Sequence, residues 1–149
     1  MKAAFDRKKA KIMPKASYIA ERAIVLAAGR GERMRPLTDT MPKPMAQVDG
    51  RRIIDTLLTA IVAAGYPEIF VVRGYLGEKL EALKDQYPMI RFIDNPHWNE
   101  ANNISSLLAA DDLVENAMIV EGDLYLQNPA LLCREQRETN YLAIPVEET

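Results

Sequence analysis

The run Ala23-Ile-Val-Leu-Ala-Ala28 is apolar without a break, has the length of a strand, and ends directly on Gly29-Arg30-Gly31. A strand that is apolar at every position has two faces to bury, the pattern of parallel strands covered by helices on both sides. Glycines at its end let the backbone approach a ligand closely and turn N–H groups towards it. Ligands in open α/β sheets bind at the carboxyl ends of the strands, so this junction places a candidate site at the end of the first buried strand.

The rest of the chain alternates in the way such a sheet needs. Residues 53–64 carry Ile53, Ile54, Leu57, Leu58, Ile61 and Val62 at helical spacing, and Gly65 follows as the C′ residue. Strands are predicted at 69–72, 90–93, 118–120 and 141–146, with helices at 78–86 and 103–110. Asp49-Gly50 is a turn signal, and Cys133 is expected on a helix as a small hydrophobe. The expected fold class is α/β, a three-layer Rossmann-like arrangement around a mainly parallel sheet. With 149 residues the chain has the length of one domain.

Composition removes several function classes. A single cysteine excludes an internal disulfide and a multi-cysteine zinc site, and the single histidine, His97, excludes His-rich metal centres. No apolar run approaches the ~18 residues of a membrane span. The net charge of −2 gives no overall drive towards nucleic acid. Residues 1–20 nevertheless hold six of the 19 Lys/Arg and one of the 21 acids, and they read as a basic arm or linker ahead of residues 21–149. No apolar stretch of a secretory signal follows that basic start. Such an arm fits an RNA contact or a targeting leader as well as a plain flexible arm or the tail of an upstream domain; the plain reading is the one taken, and a cytoplasmic protein without membrane or nucleic-acid partners is expected.

The loop at 29–45 is not a dinucleotide fingerprint, because Met34 stands where the third glycine belongs, and no Gly-Lys-Ser/Thr closes it as a Walker A loop. Arg30, Arg33, Arg35 and Lys43 follow the glycines. Arginine offers phosphate a planar fork and lysine a point charge. Pro42 and Pro44 are expected to hold Lys43 extended and give it a defined direction. By themselves these residues fit either a phosphate cradle or an ordinary turn with solvated arginines.

The string Gly29-x-Gly31-x-Arg33-x-x-Pro36-x-Thr38-x-x-x-Pro42-Lys43-Pro44 resembles the signature of the nucleotidyltransferases that activate sugar phosphates and choline phosphate. The resemblance runs through Val48-Asp-Gly50, Ala64-Gly65, Val71-Val-Arg-Gly-Tyr75 and Glu121-Gly-Asp123, about residues 22–146. It implies attack of an acceptor's phosphate oxygen on the α-phosphorus of a nucleoside triphosphate, with pyrophosphate leaving. It further implies that Leu26, Ala28, Gly29 and Gly31 line the nucleotide and that Arg33 holds the β- and γ-phosphates. Lys43 would meet the α-phosphate or the acceptor, and Asp123 would bind Mg2+. Arg33, Lys43 and Asp123 are thus the catalytic candidates. Glu32 departs from the Thr or Ser of many relatives and removes one hydroxyl contact.

A second informative stretch is Asn95-Pro-His-Trp98-Asn-Glu-Ala-Asn102-Asn103-Ile-Ser105-Ser106-Leu107. Its amides and hydroxyls suit either reading a base edge or capping a helix. The string resembles the bacterial choline-phosphate cytidylyltransferase branch, where sugar-phosphate enzymes carry a Gly-Thr pair. The resemblance assigns Asn102, Asn103 and Ser105 to the nucleotide and favours CTP, with phosphocholine or another phosphorylated small molecule as acceptor. Tyr75, Trp98 and Tyr125 are the aromatic candidates for a quaternary ammonium, with packing the simpler role for Trp98. Relatives carry a further part with more sheet and a second metal-binding aspartate, so a nucleotidyltransferase fold truncated at its C-terminus is expected. A sugar-1-phosphate enzyme, a non-catalytic nucleotide-binding fragment and a homodimer all stay open.

Overall fold

The parallel sheet demanded by the run at 23–28 lies at the centre of the molecule. The computed structural model describes residues 17–101 and 103–138; Asn102, the strand expected at 141–146 and residues 1–16 of the basic arm lie outside them. The strands are β1 (Tyr18–Ile19), β2 (Arg22–Ala27), β3 (Gln47–Val48), β4 (Arg51–Arg52), β5 (Glu68–Arg73), β6 (Arg91–Asp94), β7 (Ala117–Glu121) and β8 (Glu135–Gln136). The α-helices are α1 (Ile53–Ala63) and α2 (Asn103–Ala109). Four strands form one parallel sheet in the order β6-β5-β2-β7.

Alternation along the strands makes the three layers. Ala23, Val25 and Ala27 of β2 and Ile69 and Val71 of β5 face α1, whose Ile54, Leu57, Leu58 and Ile61 are fully buried there. Ile24, Leu26, Phe70 and Val72 point the other way, against Ala110 and Leu107. Each of the Val, Leu, Ile and Phe side chains removed from water is worth ~1.5–3 kcal/mol. Gly65 ends α1 at φ +75°, as its place in the sequence predicts. Asp49 and Gly50 both have positive φ and make the two-residue turn between β3 and β4.

Four local expectations need correction. Residues Gly77–Asp85 form a 3-10 helix, not an α-helix. Leu80 and Leu83, both fully buried, stand three apart, which is the repeat of the tighter helix, and the amides of Gly77 and Lys79 bond three residues back. Lys43 is not extended: Pro42 is, and Lys43 opens a 3-10 turn, Lys43–Met45, with Pro44 inside its first turn. Cys133 is exposed and extended, just past the 3-10 turn Pro129–Leu132. The strand expected at 90–93 starts one residue later, because the amide of Ile90 closes a turn onto the carbonyl of Tyr87. Among the described residues no helix is long and apolar enough to cross a membrane.

Candidate active site

Strand order decides where a ligand fits. From β2 the chain builds outwards through β5 and β6 on one side, and β7 then joins on the other. The connections diverge at the carboxyl ends of β2 and β7, which opens a crevice between them. The loop after β2 lies across this crevice. Gly31 has φ +66°, and a Cβ there would stand 2.9 Å from Lys43 Cβ and 3.1 Å from Thr38 Cγ2, so only glycine suits both the turn and the space. Thr38, 2% exposed, donates its hydroxyl to the Gly31 carbonyl at 3.0 Å, and the Tyr75 hydroxyl donates to the Thr38 carbonyl at 3.0 Å. The glycine loop is thereby tied from two sides. Gly29 differs, because a Cβ there would meet nothing within 4 Å.

The crevice has two adjoining lobes of about 440 and about 480 Å³. Leu26, Ala28, Gly29, Gly31, Arg33, Lys43, Asn103 and Asp123 all border the larger lobe, so eight sequence candidates meet there. Ser105 borders the other lobe with Trp98 and Arg30, while Asn103 and Ser106 border both. Arg33 is exposed and has no ion-pair partner among the described residues. Tyr75 and Trp98 pack ring to ring at 5.3 Å, and Arg30 lies over the Tyr75 face, so this pair serves first as a wall.

Across the larger lobe, Lys43 Nζ donates to Asp123 Oδ2 at 2.5 Å, joining residues 80 apart in sequence. Two residues before Asp123, Glu121 accepts a bond from Asn103 Nδ2 at 2.7 Å. Burial first, then the neighbouring Asp123 charge, raises the Glu121 carboxyl above the usual range; Asn103 and Lys43 pull it back. The sequence signal for Glu121 as a second carboxylate is its spacing from Asp123: Glu121 ends β7, Asp123 lies in the turn two residues on, and both border the larger lobe.

Carboxylate oxygens at the end of β7, bordering a lobe of about 480 Å³, suit magnesium, which takes one or two carboxylates and completes its shell with phosphates and water. Asp123, with Glu121 beside it, is the donor set that fits.

A buried strand ending on a glycine loop, a lysine aimed across the crevice and carboxylates on the next strand define a phosphate-handling α/β domain. The chain belongs to the family of MobA-like NTP transferase domains, which it matches over residues 23–146. It is 44% identical over 108 residues to the 2-aminoethylphosphonate cytidylyltransferase of Lancefieldella rimae, covering 71% of this chain and 44% of that protein. It is 33% identical over 105 residues to the choline-phosphate cytidylyltransferase of Streptococcus pneumoniae, covering 70% of this chain and 45% of that one. The solved structure of the CTP:phosphocholine cytidylyltransferase from Streptococcus pneumoniae superposes with a TM-score of 0.69 at 33% identity, over 72% of this chain and 47% of that chain. The chain therefore spans about half the length of the curated relatives it matches.

Proposed function

We propose that this chain binds a nucleoside triphosphate with magnesium, CTP in preference to the others, and transfers its nucleotidyl group to a small phosphorylated acceptor. The observation that carries the reading is the Lys43–Asp123 pair, which brings a phosphate-seeking cation and a metal-seeking carboxylate together at one lobe. An anionic oxygen of the acceptor attacks the α-phosphorus, the bond to the bridging oxygen breaks, and pyrophosphate leaves. The attacking oxygen is already ionised, so no general base is needed, and catalysis rests on positioning and charge. Arg33 holds the β- and γ-phosphates, and Lys43 exchanges Asp123 for a phosphate oxygen when the nucleotide arrives. Asp123, with Glu121 beside it, would hold the magnesium, which would supply positive charge to the phosphates.

The names of two relatives indicate the acceptor class. Choline phosphate and 2-aminoethylphosphonate each join an anionic phosphorus group to a cationic nitrogen, and an acceptor of that zwitterionic kind is the one proposed here.

Calorimetric titration with the magnesium complexes of CTP, UTP, ATP and GTP tests the nucleotide, and CTP is expected to bind tightest. A preference for UTP moves the reading to sugar 1-phosphates, and no binding at all overturns it. Pyrophosphate release from CTP, with phosphocholine and 2-aminoethylphosphonate as rival acceptors, tests the transfer.

A further inference from the structure

One hydroxyl on the wall of the crevice has its direction set from behind. Asn95 lies just past β6, is 2% exposed, and donates its backbone N–H to the Arg73 carbonyl at 2.8 Å. Its Oδ1 accepts the backbone N–H of His97 at 2.9 Å. A backbone amide can only donate, so this bond fixes which end of the side-chain amide points where. Nδ2 then faces α2 and donates to Ser105 Oγ at 3.0 Å and to Ser106 Oγ at 3.2 Å. Both N–H groups are used, and both serine oxygens act as acceptors towards Asn95.

Each serine therefore has one proton left to give. Ser105 gives its proton to the carbonyl of Ala101, four residues back, at 3.4 Å. Ser106, 5% exposed, makes no other side-chain hydrogen bond among the described residues, and it borders both lobes. A buried O–H without an acceptor is costly, so the crevice presents a donor that a ligand can satisfy.

We infer that Ser106 is a nucleobase-reading donor of the crevice and that Asn95 is the residue that positions it. The inference rests on the nucleotide-binding reading above and deepens it. Among pyrimidines, cytosine offers O2 and N3 as adjacent acceptors, whereas uracil offers O2 beside an N3–H. With one of its two lone pairs taken by Asn95 and its single proton unspent, the Ser106 hydroxyl is biased towards donating, which matches the first edge better than the second. Ser105, the serine expected from the sequence to contact the nucleotide, is here held within the fold, and its neighbour takes the ligand.

Titration of the parent, Ser106→Ala, Asn95→Ala and the double variant with magnesium–CTP and magnesium–UTP tests this, with thermal melting in parallel. Ser106→Ala leaves one Asn95 N–H without its acceptor, so some loss of melting temperature is expected. The deciding readout is the CTP-to-UTP affinity ratio, which a general loss of stability does not move. Ser106→Ala is expected to bind CTP roughly 3- to 10-fold more weakly and UTP with a smaller loss. The double variant is expected to bind CTP no worse than Ser106→Ala alone, because Asn95 acts through Ser106. Parental CTP affinity in Ser106→Ala, an equal loss for both nucleotides, or fully additive losses in the double variant each overturn the inference. If Asn95→Ala does not fold, the ratio in Ser106→Ala decides by itself. A parent that binds neither nucleotide defeats the nucleotide-binding reading, a separate failure that shows before any variant is compared.

Discussion

Asp123→Asn is expected to fold like the parent and to release pyrophosphate about 100-fold more slowly or worse. The side chain is 36% exposed and its Lys43 partner 31%, so their ion pair is worth only ~0–1 kcal/mol to the fold and melting barely moves. Asparagine keeps the shape and removes the charge. Magnesium loses a hard anionic ligand, and Lys43 loses the group that aims it across the lobe. Lys43→Ala separates these effects. It removes one charge-assisted contact with phosphate, so triphosphate affinity is expected to drop roughly 10- to 100-fold. A magnesium titration of pyrophosphate release distinguishes the pair: Asp123→Asn shifts the magnesium requirement, while Lys43→Ala shifts the CTP requirement. Parental turnover in Asp123→Asn, or parental CTP binding in Lys43→Ala with unchanged melting, removes the role assigned to that residue.

What the sequence shows and what it hides follow from how local each feature is. The run at 23–28 is buried on both faces, so its composition alone marks it as a central parallel strand, and Gly31 is marked by the turn it must make. The segment Gly77–Asp85 was misread because two leucines three apart satisfy both helical repeats over so short a stretch, and burial of those leucines selects the tighter one. Asp123 was legible as a carboxylate after a strand and a glycine. Its bond to Lys43 was not, because strand order alone brings positions 80 apart together. Ser105 and Ser106 are indistinguishable in the sequence. They separate only when Asn95, ten residues before Ser105 and buried past β6, consumes one acceptor site on each, and the Ala101 carbonyl ahead of the helix takes the proton of the first.

Gly122→Ala is expected to lower the melting temperature by roughly 3–10 °C and to weaken magnesium–CTP binding with it. Gly122 is buried, and its N–H donates to the Leu26 carbonyl at 2.7 Å. A Cβ at this position would stand 2.8 Å from that same carbonyl oxygen, 3.2 Å from Ala27 Cβ and 3.3 Å from Val25 Cγ1. The nearest atom is backbone of the central strand and cannot rotate away, so the end of β7 must retreat. Glu121 and Asp123 flank Gly122 and retreat with it, which is why a packing change reaches the site. Gly29→Ala is the informative companion. Its Cβ would meet nothing, so melting is expected to stay within ~0.5 kcal/mol of the parent, while CTP binding falls if phosphate comes as close to that backbone as proposed. Parental melting and binding in Gly122→Ala would show that β7 is not held tightly against β2 at the crevice. Parental binding in Gly29→Ala would show that no phosphate approaches the first glycine of the loop.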